Sequence, residues 1–214
     1  MNREDFEVLK NYVYLDSGAT ALKPSIILDP IKKYYLEETS NIHRGDYDIA
    51  IIADRKYDHT RNLVAKFINA NTNEIVFTNN TTDSLNRIVF GYFKNVLKEN
   101  DEVLITKAEH ASNVLPWFEL ADSNKIKIKY IELENNMVTI ENVKKAINSN
   151  TKVISLAYIT NVLGDIRPIK EITEYAHQKG IMVVLDGAQS VPHMKTDVKD
   201  LDIDFLAFSA HKMC

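Results

Sequence analysis

Cysteine is nearly absent from this sequence, which has a single one, Cys214, among its 214 residues. One cysteine excludes a disulfide framework and is typical of proteins in a reducing compartment. Long apolar runs are also missing, since none reaches the ~20 residues of a membrane-spanning helix. Residues 1–16 are charged and lack the apolar segment of a secretory signal. These absences predict a cytoplasmic protein that does not associate with membranes.

An excess of positive charge is lacking as well, because the formal net charge is −4. Nucleic acids and anionic membranes attract basic surfaces, so neither is an expected partner. Hydrophobic residues make up 45% of the chain. That proportion suffices for one sizeable core, or for one large domain with part of a second.

Two common catalytic patterns are missing. No two histidines have the His-x-x-x-His spacing and cysteines do not cluster, so a metal site at His110, Asp186 or His211 is disfavoured. No Gly-x-Ser-x-Gly motif is present either, which argues against a serine hydrolase.

The N-terminal third of the chain favours helices. Residues 24–38 (PSIILDPIKKYYLEE) read as a helix, but Pro30 does not suit a helix interior. This helix is therefore either kinked or begins at Asp29-Pro30 with Asp29 as its N-cap. Residues 41–48 form a polar loop, and the apolar residues from Ile49 to Ile68 recur at helical spacing, which predicts a long amphipathic helix.

From residue 74 onward, short apolar runs alternate with amphipathic helical patterns. Asn80 or Thr81 is expected to cap the first of these helices, and Gly180 to end the helix before residue 181. The predicted strands are residues 74–78, 101–106, 125–133, 152–158, 181–186 and 204–209, of which 125–133 alternates in the manner of a half-exposed edge strand. Short connections between strands and helices predict an α/β fold, a parallel sheet with helices on both faces.

Polar residues follow most of these strands, where ligands bind in parallel sheets. Asn79 to Asp83 could form an anion site at a helix N-terminus or could simply cap that helix. His110 and Asn161 could serve a site or could be ordinary loop residues. Asp186 ends an apolar run, where a carboxylate is costly unless it is paired, although it could instead cap the Gly187 turn.

The last of these segments carries Ser209, His211 and Lys212 just after an apolar strand. Pyridoxal phosphate requires a lysine for the Schiff base, a carboxylate at the pyridine nitrogen, a ring stacked on its face and an anion site for the phosphate. The sequence places one candidate for each at a strand end. The combination therefore predicts a pyridoxal-phosphate site.

Seven segments in order resemble the class V aminotransferase-like pyridoxal-phosphate enzymes, and within them the cysteine desulfurase and selenocysteine lyase group. They are YLDSGATALKP at 14–24, HRGDYDIA at 43–50, FTNNTTDSLN at 77–86, EHASNVLPW at 109–117, NVLGDIRPI at 161–169, DGAQSVPHMKTDV at 186–198 and DFLAFSAHK at 204–212. The resemblance implies the three-layer, mainly parallel sheet of the aspartate-aminotransferase-like large domain, known as fold type I, in incomplete form.

The resemblance also implies roles for the matching residues. Lys212 would form the Schiff base and move protons at the substrate α-carbon, Asp186 would pair with the pyridinium nitrogen, and His110 would stack on the ring. Gln189 would hydrogen-bond the ring oxygen, and Asn161 would lie near the ring oxygen and the substrate carboxylate. The phosphate would be held by Thr81, Thr82, Ser209 and His211. His43 and Arg44 match a substrate-side loop, although a solvated loop explains them nearly as well.

Some positions depart from the usual family pattern. Asn80 stands where glycine usually precedes the two threonines, Asp83 replaces a more common glutamate, and Ala210 a more common glycine. The segment after His110 lacks the second histidine common in sulfur-mobilising members. These departures leave the exact substrate open.

The resemblance covers the N-terminal half of a family chain. Residues 1–214 would comprise an N-terminal arm and most of the large cofactor-binding domain, without the rest of that domain or the small C-terminal domain. Cys214 lies where the family has an ordinary turn residue, and we do not expect it to accept sulfur. A missing strand would leave a gap between 74–78 and 204–208, so we expect the isolated chain to be poorly stable and inactive.

Three readings of function follow. The first is a homodimeric enzyme that removes sulfur or selenium from cysteine or selenocysteine to give alanine, with a sulfur-acceptor protein as an implied partner. The second keeps the cofactor but changes the reaction to that of another class V transaminase, lyase or epimerase. The third is a truncated chain without catalysis that retains at most cofactor binding or interaction capacity.

Overall fold

Helices dominate the N-terminal part of the chain in the computed structural model, which describes residues 2–213. A 3₁₀ turn at Ser25–Ile27 leads into α1 (Leu28–Lys33) and a π-helical segment at Tyr34–Glu38. The helix therefore begins before Asp29, so the alternative in which Asp29 is the N-cap is wrong. Pro30 lies in the first turn of α1, where a missing N–H costs little. The predicted long helix is confirmed as α2 (Asp48–Phe67).

The predicted strand at residues 74–78 is wrong for the described chain. Thr72–Glu74 form a 3₁₀ turn, and residues 75–78 lie outside every strand within residues 2–213. A strand requires a neighbouring strand, whereas the Ile75 N–H donates to the Thr72 carbonyl at 3.3 Å and its carbonyl accepts from Arg61 Nη1. Val76 is consequently 75% exposed.

The other predicted strands are confirmed and form one parallel sheet in the order β2-β1-β3-β4-β5. Their bounds are β1 (Glu102–Ile105), β2 (Lys127–Tyr130), β3 (Thr151–Ala157), β4 (Met182–Asp186) and β5 (Phe205–Ala207). The predicted edge strand is β2. It lies at one end of the strand order, and most of its residues are exposed to solvent. The pairings among these five strands are all parallel, so the strands end at the same edge of the sheet.

The remaining helices connect these strands. They are α3 (Thr81–Arg87), which continues through a π-helical segment at Ile88–Phe93 into α4 (Lys94–Val96), then α5 (Leu115–Asn124), α6 (Ile140–Ala146), α7 (Ile169–His177), α8 (Ser190–His193) and α9 (Val198–Leu201). Gly180, predicted to end α7, has φ +68° two residues beyond the C-cap Gln178. Its N–H donates to the His177 carbonyl at 3.0 Å.

Two separate apolar clusters show that helices cover both faces of the sheet. One joins alternate residues of β3 and β4, such as Ile154 and Val183, to α6 and α7. The other joins their neighbours Val153 and Val184 to α5 and the helical segment 81–96. Since successive residues of a strand point to opposite faces, this division gives the predicted three layers.

The chain divides into two compact units. The first comprises the chain up to Val76 together with the segment from His211 onward, and the second is Phe77–Ala210, which contains the whole sheet. Within residues 2–213 no helix is both long and apolar enough to cross a membrane.

Candidate functional site

Asp186 is the buried acid at the carboxyl edge of the sheet. It is the last residue of β4, is 4% exposed, and lies in register between Ala157 of β3 and Ala207 of β5. Its Oδ1 accepts from the Ala188 N–H at 2.9 Å. A carboxylate in such surroundings favours a positively charged or N–H-donating group in front of it, which a protonated pyridine nitrogen provides.

The turn after Asp186 packs closely against β5. A Cβ at Gly187 would lie 2.7 Å from Leu206 Cδ1 and 3.0 Å from Val191 Cγ2, so a side chain here would push the turn away. Gln189, the N-cap residue of α8, is 7% exposed. The predicted Asp186 and Gln189 thus lie on either side of a glycine that packs closely against β5.

Hydroxyl and N–H groups gather at the start of α3. The Thr81 N–H donates to Ser209 Oγ at 2.7 Å, and the two side-chain oxygens are 2.5 Å apart. Both residues are buried. The structure therefore brings together two predicted phosphate-binding residues that are 128 positions apart in sequence. Donors of this kind at a helix N-terminus suit a phosphate.

Asn80 fulfils its predicted role as N-cap, since its Oδ1 accepts from the Asp83 N–H at 2.9 Å. Its backbone is extended, with φ −173° and ψ 178°. Any residue adopts this conformation, so asparagine in place of the usual glycine creates no strain before the two threonines.

Asp83, the other departure in this turn, is held in its charged form. The Asn79 N–H donates to its Oδ2 at 3.0 Å, and this bond together with that from Arg87 lowers the pKa of the Asp83 carboxyl. A negative charge in the first turn of α3 stabilises the helix.

His110 and Thr82 are connected through Ser112, a residue that the sequence did not single out. Ser112 Oγ lies 2.7 Å from Thr82 Oγ1 and 3.0 Å from His110 Nδ1, and the Ser112 N–H donates to the same nitrogen at 3.2 Å. Because Nδ1 accepts a hydrogen bond, the neutral ring carries its proton on Nε2. The ring of His110 is exposed on its other side.

Asn161 lies in an exposed turn after β3. Gly164, with φ +72°, closes this turn through a hydrogen bond from its N–H to the Thr160 carbonyl at 3.1 Å. The predicted role of Asn161 at the ring oxygen stays a prediction.

Lys212 and His211 belong to the first unit, where they form the 3₁₀ turn Ala210–Lys212 after β5. The His211 carbonyl accepts from the Ala21 N–H at 3.0 Å, from Thr20 Oγ1 at 3.1 Å and from Lys23 Nζ at 2.9 Å. Lys23, which the sequence did not single out, also donates to the Met213 carbonyl at 3.1 Å. The predicted Schiff-base lysine is therefore in a turn held by the segment 20–23.

The substrate-side candidates His43 and Arg44 also lie in the first unit. His43 has a left-handed backbone (φ +58°), and its N–H donates to Asp54 Oδ1 at 2.7 Å. Its ring meets Tyr57 edge to face. These contacts explain how the loop is held, and the substrate role stays a prediction.

The sequence disfavours a metal site in this region and a catalytic role for Cys214. Among the described residues no three His, Cys, Asp or Glu side chains are grouped as metal ligands. Cys214, which we do not expect to be catalytic, lies outside the described residues.

The sequence also missed a buried ion pair between Glu109 and Arg167, whose side chains have no exposed surface. Both follow strands, but their sequence neighbours His110 and Ile166 are exposed, so no local pattern marked either residue as buried. Glu109 immediately precedes His110, so the pair bears on the site.

The sheet with its covered faces and the polar residues at its carboxyl edge define an α/β domain of the class in which ligands bind beyond the strand ends. The family model for aminotransferase class-V matches residues 13–214. The chain belongs to the aminotransferase class-V family.

Individual proteins extend this likeness. A protein of Halalkalibacterium halodurans described as a probable cysteine desulfurase is 42% identical over 203 residues, which are 94% of this chain and 50% of that protein. The apo structure of the cysteine desulfurase from Thermococcus onnurineus NA1 matches with a TM-score of 0.93 and 36% identity over 98% of this chain and 52% of its own. The cysteine desulfurase CsdA of Escherichia coli gives a TM-score of 0.89 and 33% identity over 98% and 53%.

The resemblance found in the sequence and its incomplete fold type I sheet are thereby confirmed. The chain spans about half the length of the curated relatives it matches.

Proposed function

We propose that this chain provides the cofactor-binding part of a pyridoxal-phosphate-dependent cysteine desulfurase, which removes sulfur from cysteine, or selenium from selenocysteine, and leaves alanine. The observation that carries the proposal is the buried Asp186 at the end of β4, on the sheet edge where the Thr81–Ser209 pair also lies. Family membership and the described activity of the relatives support it.

The residues present fit the cofactor. Asp186 would face the pyridine nitrogen and keep it protonated, and Gln189 and Asn161 would bind the ring oxygen. Thr81, Thr82, Ser209 and His211 would hold the phosphate, and the imidazole of His110 would lie against the ring. Bound pyridoxal phosphate would supply an electron-withdrawing ring at the substrate α-carbon.

The chain's own residues would then move the protons. Lys212 would bind the cofactor covalently and, once substrate has displaced it, take the proton from the α-carbon. His110 would exchange a proton with the substrate through Nε2, since Nδ1 accepts from Ser112. His43 and Arg44 would contact the substrate. With an added thiol as reductant, each cysteine yields one alanine and one sulfide.

We also propose the wider setting implied by the family resemblance. The functional protein would be a cytoplasmic homodimer that passes sulfur to an acceptor protein. Size measurement of the complete gene product by light scattering tests the dimer, and a mass of one chain would contradict it.

The test of the cofactor assignment is absorption spectroscopy of the complete gene product with pyridoxal phosphate. We expect a visible band in the wild type that is lost in Lys212→Ala. Borohydride reduction followed by peptide mapping should place the cofactor on Lys212. Identical spectra for both proteins would show that the lysine is misassigned.

Product analysis separates the readings of function. Alanine with sulfide supports desulfuration, whereas a keto acid formed from an amino-acid donor would indicate a transaminase of the same family. A protein that binds the cofactor and yields neither product would favour the non-catalytic reading.

A further inference from the structure

The Glu109 carboxylate lies at the centre of the loop that carries His110. We define the His110 loop as residues 106–113. Glu109 Oε1 accepts from Arg167 Nη1 and from Thr106 Oγ1, the latter at 2.7 Å. Its Oε2 accepts from Asn113 Nδ2 at 3.0 Å and from the Ala157 N–H at 2.7 Å. One side chain thus bonds both ends of the His110 loop and fastens it to the end of β3.

Arg167 supplies the positive charge for this arrangement. It is 2% exposed and lies in the Asn161 loop, which we define as residues 158–167. Besides Glu109 it donates to the Ala157 carbonyl at 3.2 Å and to Thr106 Oγ1 at 3.1 Å, and its Nε lies 3.6 Å from Asp165 Oδ2. Its backbone N–H donates to the Tyr158 carbonyl at 3.0 Å.

Removal of the Arg167 charge would leave the Glu109 carboxylate in the interior without compensation, which strongly destabilises a protein. Arg167 is the cation that Glu109 contacts directly. Without the Arg167 charge, the Glu109 carboxylate would move toward water, and the adjoining His110 would move with it. Asn113, which is fully buried and accepts from Ser155 Oγ at 2.7 Å, anchors the other end of the same loop.

We propose that Arg167 is a positioning residue for His110, because it neutralises Glu109 and thereby holds the His110 loop and the Asn161 loop against the end of β3. One buried ion pair would then position two loops with predicted cofactor contacts, the His110 loop and the Asn161 loop. The expected effect on the bound cofactor rests on the proposed function, whereas the expected loosening of the His110 loop does not.

The first test measures amide hydrogen exchange of residues 106–114 by mass spectrometry in the complete gene product without cofactor. We expect Arg167→Met to speed exchange in this segment at least about tenfold. The double variant Glu109→Gln/Arg167→Met should restore protection, since a neutral amide can still accept from the Ala157 N–H and no unpaired carboxylate remains at position 109. Arg167→Lys should also retain protection, because an ammonium group still balances the carboxylate.

The control is Lys170→Met, three residues after Arg167. It breaks an exposed ion pair with Asp200 and should leave exchange at 106–114 unchanged. If Arg167→Met fails to fold, Arg167→Lys and the double variant still decide the matter. Fast exchange in the double variant would contradict the proposal, since it would mean that Arg167 acts by filling space or through Asp165 and not through Glu109.

The second test uses the visible circular dichroism of bound pyridoxal phosphate, which reports the surroundings of the ring. We expect Arg167→Met to change this band and to lower kcat/KM for cysteine about 10²-fold, as a small misplacement of a reacting group does, with recovery in Arg167→Lys. Unchanged circular dichroism and kcat in Arg167→Met would overturn the proposed effect on the site. If the protein takes up no pyridoxal phosphate, the proposed function fails, and the exchange measurement still decides the role of Arg167.

Discussion

Ser209 joins the end of β5 to the start of α3 through its hydroxyl group. Its Oγ accepts from the buried Thr81 N–H at 2.7 Å, and a buried N–H without a partner costs about 1–3 kcal/mol. We therefore expect Ser209→Ala to lower the free energy of unfolding by about that amount and to weaken cofactor binding. Urea unfolding and cofactor titration measure the two effects.

The matched control for Ser209 is Ser123→Ala. Ser123 is exposed and donates to the Leu120 carbonyl at 3.1 Å, so its loss should change stability by less than about 0.5 kcal/mol. Equal stability of Ser209→Ala and the wild type would contradict the role assigned to this hydroxyl.

Lys23 acts on the turn that carries Lys212. Its ammonium group donates to the carbonyls of His211 and Met213. Lys23→Met should therefore loosen residues 210–213 and raise their amide exchange several-fold, while the sheet keeps its protection. Lys10→Met, which breaks an exposed ion pair with Glu7, serves as the control, and unchanged exchange at 210–213 in Lys23→Met would refute the contact.

At the scale of elements, His177 connects the end of α7 to the segment before β5. Its Nδ1 lies 3.2 Å from Asp202 Oδ2 and its Nε2 3.0 Å from Asp204 Oδ2. Burial lowers the pKa of His177, but the bonds and charges of Asp204 and Asp202 outweigh this and raise it above 6.5. Asp204 also accepts from the Val183 N–H at 2.7 Å, so the contact joins α7 to two strands.

This raised pKa makes the contribution of His177 depend on pH. A group whose pKa is higher in the folded state stabilises the protein fully below its unfolded pKa, near 6.5, and loses that effect as pH rises through the folded value. His177→Gln should thus cost up to about 1 kcal/mol near pH 5.5 and little near pH 8.5, given its partial exposure. A stability difference between variant and wild type that does not change with pH would contradict this.

The aromatic cluster under α5 holds the helical layer on one face of the sheet. Phe93 is fully buried, with its ring centroid 5.2 Å from that of Trp117 and 5.5 Å from that of Phe205. Phe93→Ala should cost about 3–5 kcal/mol because it leaves a cavity. Phe118→Ala, at a residue 41% exposed, should cost about 1 kcal/mol or less, and an equal loss for both variants in urea unfolding would contradict the assigned packing.

At the scale of the whole molecule, the sequence predicts the features that depend on nearby residues. The apolar runs of β3 and β4, the cap at Asn80 and the left-handed Gly180 all follow from local chemistry. The strand at 74–78 was predicted wrongly because pairing depends on a distant neighbour that an apolar run does not reveal.

In the candidate site, too, the sequence predicts some features and misses others. Its residue types could be read from the strand ends, since parallel strands bring their carboxyl ends to one edge. The contacts of Glu109 with Arg167 and of Lys23 with the His211 carbonyl join residues that are 58 and 188 positions apart. Such partners are set by tertiary packing, which hydrophobic periodicity does not specify.

The most direct test of the proposed desulfuration is the measurement of alanine and sulfide formed from cysteine by the complete gene product, with pyridoxal phosphate and an excess of dithiothreitol. We expect equal amounts of both products from the wild type, and none above background from Lys212→Ala. Alanine and sulfide formed at the same rate by Lys212→Ala, or no product from a wild type that has bound the cofactor, would contradict it.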